Sequence, residues 1–152
     1  MANVTRGLTA GEITILKSVF GSGITYASVR VNNFKWAFFQ PDNTAMTPNG
    51  QIYFPAAHYV ADFSAASLST RAWFVHEGAH LYQHYGLKWN VTVRGAFDRD
   101  YNYTLDPKKA SLSDYGLEEM GDIASDYYTL VQGGSISRPY KLVDYAKLLP
   151  LP

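Results

Sequence analysis

Two histidines four residues apart, with a glutamate directly after the first, form the chemically most informative pattern in the chain. His76, Glu77 and His80 spell H-E-x-x-H within a stretch whose apolar spacing predicts a helix. Side chains four positions apart lie one turn apart on one helix face, so both imidazoles can bind one Zn²⁺. Glu77 is about 100° round the helix from His76, beside the metal, where a general base can take a proton from metal-bound water. The pattern therefore predicts zinc-dependent hydrolysis of an amide bond.

A catalytic zinc site needs a third protein ligand, and the chain contains no cysteine. A second strongly predicted helix carries Glu118, Glu119 and Asp122. Glu118 and Asp122 are four residues apart and share a face, so Glu118 can bind the metal while Asp122 accepts the free N–H of a ligating imidazole. This spacing favours Glu118 over Glu119 as the third ligand and leaves Glu119 as the alternative.

Other residues are candidates for places around the site. His84 lies two turns beyond His76 and is expected at the rim of the cleft, whereas His58 is expected on the surface. Amide hydrolysis also needs a hydrogen-bond donor for the oxyanion that develops on the scissile carbonyl. Four tyrosines are candidates that the sequence does not rank: Tyr101, Tyr103, Tyr127 and Tyr128.

Helices must position most of these residues. Thr9 and Glu12 have the spacing of a capping box at the start of the first helix, and glycines end each of the first three. Residues 98–112 are polar, aromatic and irregular, which favours an ordered loop. The predicted helices cover about residues 9–20, 69–85, 113–132 and 139–148.

Two short strands are predicted at Tyr26–Val31 and Gln51–Phe54, and together they indicate a small antiparallel sheet. Gln51–Phe54 follows a strong turn signal and is expected to be an edge strand to which an extended peptide substrate can pair. The element order predicts a single, mostly helical α+β domain over residues 1–152.

Composition excludes several other classes of function. The 13 Lys and Arg residues balance the 13 Asp and Glu residues, so neither nucleic acid nor an anionic membrane is an expected partner. The N-terminus lacks the apolar core of a secretory signal, and no segment approaches the roughly 20 apolar residues of a membrane span. Synthesis in the cytoplasm without a signal peptide is therefore expected.

Several stretches of the sequence resemble a group of compact zincin-type metallopeptidase domains. These domains occur as toxic C-terminal extensions of type VI secretion spike proteins (VgrG) or as free-standing effectors. The resemblance implies a zincin-like fold in which His76, His80 and Glu118 hold zinc and Glu77 is the catalytic base. It rests on Leu8–Glu12, Phe39–Asn43, Asn49–Phe54, Asp62–Ser64, Val75–Gln83 and Gly116–Tyr128.

The resemblance also implies a setting and partners. It indicates an antibacterial effector that is secreted, acts in the periplasm of a target cell, and is associated with a spike protein and an immunity protein. The expected substrate is a peptide, a protein or the peptide part of peptidoglycan. Gly78 departs from the family pattern, where a larger residue is usual, and lowers helix propensity by up to about 1 kcal/mol. The alternative function is a catalytically silent interaction domain in which zinc holds helices together.

Overall fold

Two long helices that pack along each other dominate the fold. The structure is a computed structural model, which describes residues 2–152. Over this range the chain forms an α+β arrangement of four α-helices and a three-stranded sheet. The elements are β1 (Thr5–Arg6), α1 (Ala10–Phe20), β2 (Arg30–Asn32), β3 (Gln51–Tyr53), α2 (Leu68–Tyr85), α3 (Val91–Gly95) and α4 (Leu117–Val131). Among these helices, none combines the length and the apolar character that crossing a membrane requires.

Helix α1 begins with the predicted capping box. The Thr9 hydroxyl accepts a hydrogen bond from the Glu12 N–H at 3.1 Å, and the Glu12 carboxylate accepts one from the Thr9 N–H at 2.9 Å. Glu12 is fully buried and also accepts hydrogen bonds from both terminal nitrogens of Arg6 and from the Phe63 N–H. This carboxylate therefore ties β1 and α1 to the chain just before α2.

Gly78 allows α1 to lie directly against α2. A Cβ atom at this position would lie 2.5 Å from Leu16 Cδ2 and 2.9 Å from Phe20 Cε2, and both of those side chains are fully buried. The close approach explains why a residue of low helix propensity occupies the middle of the histidine motif.

The sheet is mixed, so the prediction of an antiparallel sheet was wrong in part. Strand β1 pairs with β2 in antiparallel orientation, but β2 and β3 run parallel. The predicted strand at Tyr26–Val31 is reduced to Arg30–Asn32 because Tyr26–Ser28 form a 3₁₀ turn. Strand direction depends on the path of the long connection between β2 and β3, and local alternation of side chains does not reveal that path.

Part of the outer edge of β3 is covered. Met46 and Tyr53 exchange two backbone hydrogen bonds of 3.0 and 2.8 Å in an antiparallel bridge. The predicted edge strand Gln51–Phe54 is therefore already paired at Tyr53, and the segment around Met46 lies outside it.

Helix α2 agrees closely with the prediction, but α4 starts later than predicted. Ser111 and Asp114 close a separate 3₁₀ turn with its own capping box. The N-terminus of α4 is capped from a distance, because Asp98 Oδ2 accepts a hydrogen bond from the Leu117 N–H at 2.7 Å. The prediction of a start at Ser113 or Asp114 was therefore wrong by about one turn.

The chain around these helices also differs from the prediction at two places. Helix α3 is a single short turn that the sequence analysis did not identify. The final helix predicted at 139–148 was wrong, because this segment forms only a 3₁₀ turn at Leu142–Tyr145. Residues 98–111 are irregular, as predicted.

Candidate metal centre

Helices α2 and α4 bring two histidines and one carboxylate to a common point. His76 and His80 direct Nε2 toward Oε1 of Glu118, at 3.0 and 2.9 Å respectively. One ligand atom from each of the three residues lies within 4.8 Å of the other two. Both histidines are buried, and Glu118 is half-buried. The structure thus places together the three residues that the sequence analysis proposed as metal ligands.

The second ring nitrogen of each histidine has its own partner. His76 Nδ1 lies 2.9 Å from Asp122 Oδ1, and His80 Nδ1 lies 2.8 Å from Gln83 Oε1. Carboxylate and amide oxygens accept hydrogen bonds, so each Nδ1 is assigned the proton and donates it. In the neutral rings this leaves a lone pair on each Nε2, which is the tautomer that a metal ligand needs.

Gln83 was not assigned a role from the sequence. Its Nε2 donates a hydrogen bond to the Leu117 carbonyl at 2.8 Å, and this contact turns the amide oxygen toward His80. Gln83 is fully buried. Its position three residues after His80, on the same helix face, is the signal that could have identified it.

Hydrogen bonds outweigh burial in setting the charge of the cluster. Burial lowers the pKa of His76, but hydrogen bonds to Asp122 and Glu118 raise this pKa to about 10. Burial also lowers the pKa of His80, and the hydrogen bond to Glu118 raises it above its ordinary value. Burial raises the pKa of Glu118, whereas hydrogen bonds from the two histidines hold it well below its ordinary value. The cluster therefore favours positive charge at its centre, which protons or a divalent cation can supply.

Gly121 makes room for His76 on α4. A Cβ atom at this position would lie 2.5 Å from Cε1 and 2.6 Å from Nδ1 of the His76 ring. A glycine between Glu118 and Asp122 therefore lets the ring reach both carboxylates. No role for Gly121 was predicted from the sequence, although the position of a glycine within an acidic helix turn was a signal for it.

Glu77 lies beside the cluster and has a different partner. Its Oε1 accepts a hydrogen bond from the Thr47 hydroxyl at 2.6 Å, and both residues are buried. Thr47 was not assigned a role from the sequence because it lies 30 residues away along the chain. With Oε1 held by Thr47, the second oxygen of Glu77 is the one available to receive a proton.

The remaining acidic and histidine candidates are separate from the cluster. Glu119 Oε1 accepts a hydrogen bond from the Gly116 N–H at 2.8 Å, so Glu119 caps its own helix. His84 packs edge-on against Tyr85 and is not among the described residues that line the cavity beside the cluster, so its predicted position at the cleft rim was wrong. His58 is exposed, as predicted.

The structure distinguishes among the four candidate tyrosines. Tyr101 lines the cavity and stacks on His76 with ring centroids 6.1 Å apart. Burial and the nearby carboxylates, Glu118 first among them, raise the pKa of Tyr101 to about 12. The Tyr103 hydroxyl donates a hydrogen bond to Asp126. Tyr103, Tyr127 and Tyr128 are not among the described residues that line the cavity.

Arg138 connects the loop that carries Tyr101 to α4. Its Nη2 donates hydrogen bonds to the Tyr101 carbonyl at 2.8 Å and to Asp122 Oδ2 at 3.3 Å, while Nη1 donates to Asp126 Oδ2 at 2.8 Å. The outer oxygen of Asp122 is thereby fixed while the other faces His76. Arg138 thus helps to orient the group that orients His76.

A cavity of about 980 Å³ opens onto the cluster. This volume is at the upper end of the range for ligand sites. The residues that line it come from the segment before β3, from α2, from the α3 region and from α4. The three candidate ligands are therefore reachable from solvent, as a catalytic metal site requires.

The chain is similar to one part of a much longer protein. Over 137 residues it is 39% identical to the type VI secretion system spike protein VgrG2b of Pseudomonas aeruginosa, a match that covers 84% of this chain and 13% of that protein. The chain thus spans only 13% of the length of the curated relative that it matches. The solved effector domain of Pseudomonas aeruginosa VgrG2b superposes with a TM-score of 0.81 and 34% identity, covering 95% of this chain and 84% of that one. No protein-family model matches the chain.

Proposed function

The chain belongs to the family of the VgrG2b effector domain, and from this membership and the candidate metal centre we propose that it is a zinc-dependent metallopeptidase or amidase that acts as an antibacterial effector. One observation carries the enzymatic part of the proposal. His76, His80 and Glu118 converge at the wall of an open cavity that Glu77 also lines. The proposed reaction is hydrolysis of an amide bond.

The donor set fits zinc. Two imidazole nitrogens and one carboxylate oxygen are typical of catalytic zinc sites, which keep a fourth position open. Zinc held by these residues supplies a Lewis acid that polarises the scissile carbonyl and activates water for attack. Asp122 and Gln83 hold the Nδ1 protons, so both Nε2 atoms face the metal position with their lone pairs.

Glu77 is the proposed general base. It accepts the proton of the attacking water at the oxygen that Thr47 does not hold, and it then donates that proton to the leaving amine. The hydrogen bond from Thr47 restricts the carboxylate to one orientation. Because Thr47 is next to Met46, the segment that pairs with β3 also orients the base.

Residues 45–47 replace Gln51–Phe54 as the proposed docking edge for an extended substrate. Met46 directs its N–H and C=O groups to Tyr53. Residues on either side of a hydrogen-bonded antiparallel pair direct these groups to the other side, and from this alternation we infer that Ala45 and Thr47, which flank the Met46–Tyr53 bridge, direct theirs away from β3. Both residues line the cavity, where a substrate backbone can pair with them.

Tyr101 is the proposed donor to the oxyanion. Its hydroxyl is protonated at neutral pH, as in any tyrosine, and burial, which raises its pKa to about 12, extends the protonated range to alkaline pH. A protonated phenol that lines the cavity beside His76 can donate a hydrogen bond to the developing negative charge.

The proposed setting follows from the relative. The matched protein is a spike protein of the type VI secretion system, and the matched structure is its effector domain. We propose that this chain is likewise secreted in association with a spike protein, acts in the periplasm of a target cell, and is neutralised in the producing cell by an immunity protein.

A matched pair of variants tests the enzymatic proposal. Glu77→Gln should keep stoichiometric zinc but lose hydrolysis by about 10²–10⁴-fold, because a general base contributes that factor. Glu119→Gln is the control, since Glu119 caps its helix and should retain both properties. Zinc content is measured by atomic absorption, and toxicity is scored as growth after expression with and without an export signal.

Four outcomes would contradict the proposal. Failure of the wild-type protein to bind stoichiometric zinc after reconstitution would exclude the metal centre. Unchanged hydrolysis in Glu77→Gln would exclude Glu77 as the base. Unchanged toxicity without detectable hydrolysis would favour a catalytically silent zinc-binding domain. Equal toxicity with and without the export signal would exclude the periplasm as the necessary site of action.

A further inference from the structure

The cavity beside the metal centre has apolar walls that the hydrolytic chemistry alone does not require. One wall comes from the segment before β3, and another comes from the region of α3 and the start of α4. The apolar side chains from these regions include Trp36, Phe39, Met46, Val91, Ala96 and Leu117.

Charged groups in this cavity are concentrated at the metal centre. Among the described residues that line the cavity, Arg99 is the single residue with a charged side chain that does not belong to the metal centre. Its Nε donates a hydrogen bond to the Gly95 carbonyl at 3.3 Å, and the residue is exposed to solvent. A ligand with several charges would therefore find few partners along the walls.

Aromatic surface continues from the cavity onto the exterior. Phe39 lines the cavity but is 60% exposed, and it lies edge-on to Trp36 at 6.0 Å. Phe38, next to it, is 95% exposed. Exposed aromatic side chains that are contiguous with a cavity mark binding surfaces, because covering them removes large apolar areas from water.

We propose that the substrate is an extended segment of a protein with bulky apolar or aromatic side chains beside the scissile bond, and not the crosslink peptide of peptidoglycan. The inference rests on the proposed function and specifies its substrate class. Crosslink peptides present small methyl side chains together with free carboxylates. Methyl groups bury little apolar area against Trp36 and Phe39. Among the described lining residues outside the metal centre, Arg99 is the single cation that a carboxylate could meet, so several carboxylates would lose water without gaining matching partners. A leucine or phenylalanine side chain gains from the same walls.

Direct binding tests this preference without requiring turnover. The zinc-loaded Glu77→Gln variant is titrated by fluorescence anisotropy against two labelled decapeptides of equal length and net charge. One carries phenylalanine and leucine around its central amide, and the other carries alanine at the same positions. Purified crosslinked muropeptides, used as competitors, form the third probe. We expect the apolar decapeptide to bind at least about tenfold more tightly than either of the other ligands.

Wall variants locate the preference within the cavity. Trp36→Ala and Phe39→Ala, each in the Glu77→Gln background, should weaken binding of the apolar decapeptide about tenfold and leave binding of the alanine decapeptide unchanged. Phe97→Ala is the matched control, because Phe97 is 89% exposed and lies outside the described cavity lining. Circular dichroism and zinc content establish that each variant remains folded and metal-loaded.

The outcomes separate the substrate inference from the proposed function. Equal binding of the two decapeptides, or tighter binding of muropeptides, overturns the substrate inference. Wild-type protein that hydrolyses muropeptides faster than the apolar decapeptide overturns it as well, while supporting the hydrolytic function. If no ligand is hydrolysed, the proposed function fails, but the binding order still decides which chemistry the walls prefer.

Discussion

Replacement of Gly121 by alanine tests whether α4 holds His76 through a contact that leaves no room for a side chain. The added Cβ atom would lie 2.5 Å from Cε1, 2.6 Å from Nδ1 and 2.8 Å from Nε2 of the His76 ring. Ordinary van der Waals contact begins near 3.4 Å, so the ring and the helix must separate by about 0.9 Å.

This separation is large compared with the tolerance of a metal centre. Metal–ligand distances in plausible sites stay within about 0.2 Å of their typical values, so His76 could not keep both its place and its hydrogen bond to Asp122. Disturbing such contacts costs about 10–100-fold in metal affinity. We therefore expect zinc affinity to fall by at least about tenfold. Alanine gains about 1 kcal/mol in helix propensity and loses about 1–3 kcal/mol to overpacking, so the free energy of unfolding without zinc should fall by about 0–2 kcal/mol.

The assay is competition for zinc with a chromophoric chelator, accompanied by thermal unfolding with and without zinc. Gly95→Ala is the matched control, because a Cβ atom at Gly95 meets Leu117 at 3.6 Å, an ordinary contact. Its zinc affinity should equal that of the wild type. Wild-type zinc affinity in Gly121→Ala would refute the reasoning and exclude His76, in its observed position, as a ligand.

Three further perturbations probe the same centre. Asp122→Ala should lower zinc affinity about 10–100-fold in the chelator assay, while Asp122→Asn, which keeps an acceptor for the His76 Nδ1 proton, should lose less. Thr47→Val should leave zinc content unchanged and reduce kcat, because the Glu77 carboxylate loses the hydrogen bond that orients it; Thr47→Ser, which keeps the hydroxyl, should restore kcat. Without zinc, the interactions that raise the pKa of His76 stabilise the fold fully below its ordinary pKa of 6.5, and this stabilisation is lost as the pH rises through about 10. The interactions that lower the pKa of Glu118 stabilise the fold above its ordinary pKa of 4.5, and this stabilisation is lost in acid. Thermal unfolding should thus show the cluster contributing most between pH 4.5 and 6.5. The stabilisation gained on adding zinc should instead increase as the pH rises toward about 10, since zinc must displace the proton of His76; a zinc effect independent of pH would contradict this.

The range of each interaction explains what the sequence could predict. The spacing of His76 and His80, and that of Glu118 and Asp122, is set within single helices, so local periodicity predicts that each pair shares a face. Because a zinc site needs three protein ligands, the chemistry then predicts that the helix with the two histidines lies against the helix with Glu118. The hydrogen bond from Thr47 to Glu77 spans 30 residues, and nothing in either local sequence indicates it.

The accuracy with which the sequence predicts where helices begin and end is limited for the same reason. Ser113 and Asp114 have the composition of a helix start, but the structure uses Asp114 to close a separate turn and caps α4 with Asp98, 19 residues before the helix. Pro139 fits the first turn of a helix, yet only Leu142–Tyr145 form a 3₁₀ turn. In each case a tertiary contact or a short turn replaced the structure that local propensity favours.

The contact at Gly78 also restricts how this lineage can diverge. A methyl group at position 78 would occupy space now filled by the ends of Leu16 and Phe20. A relative with alanine there must either shift the ends of Leu16 and Phe20 or carry a smaller residue at one of these two positions. Homologous sequences should consequently show paired changes between position 78 of α2 and positions 16 or 20 of α1, which an alignment of these sequences would reveal.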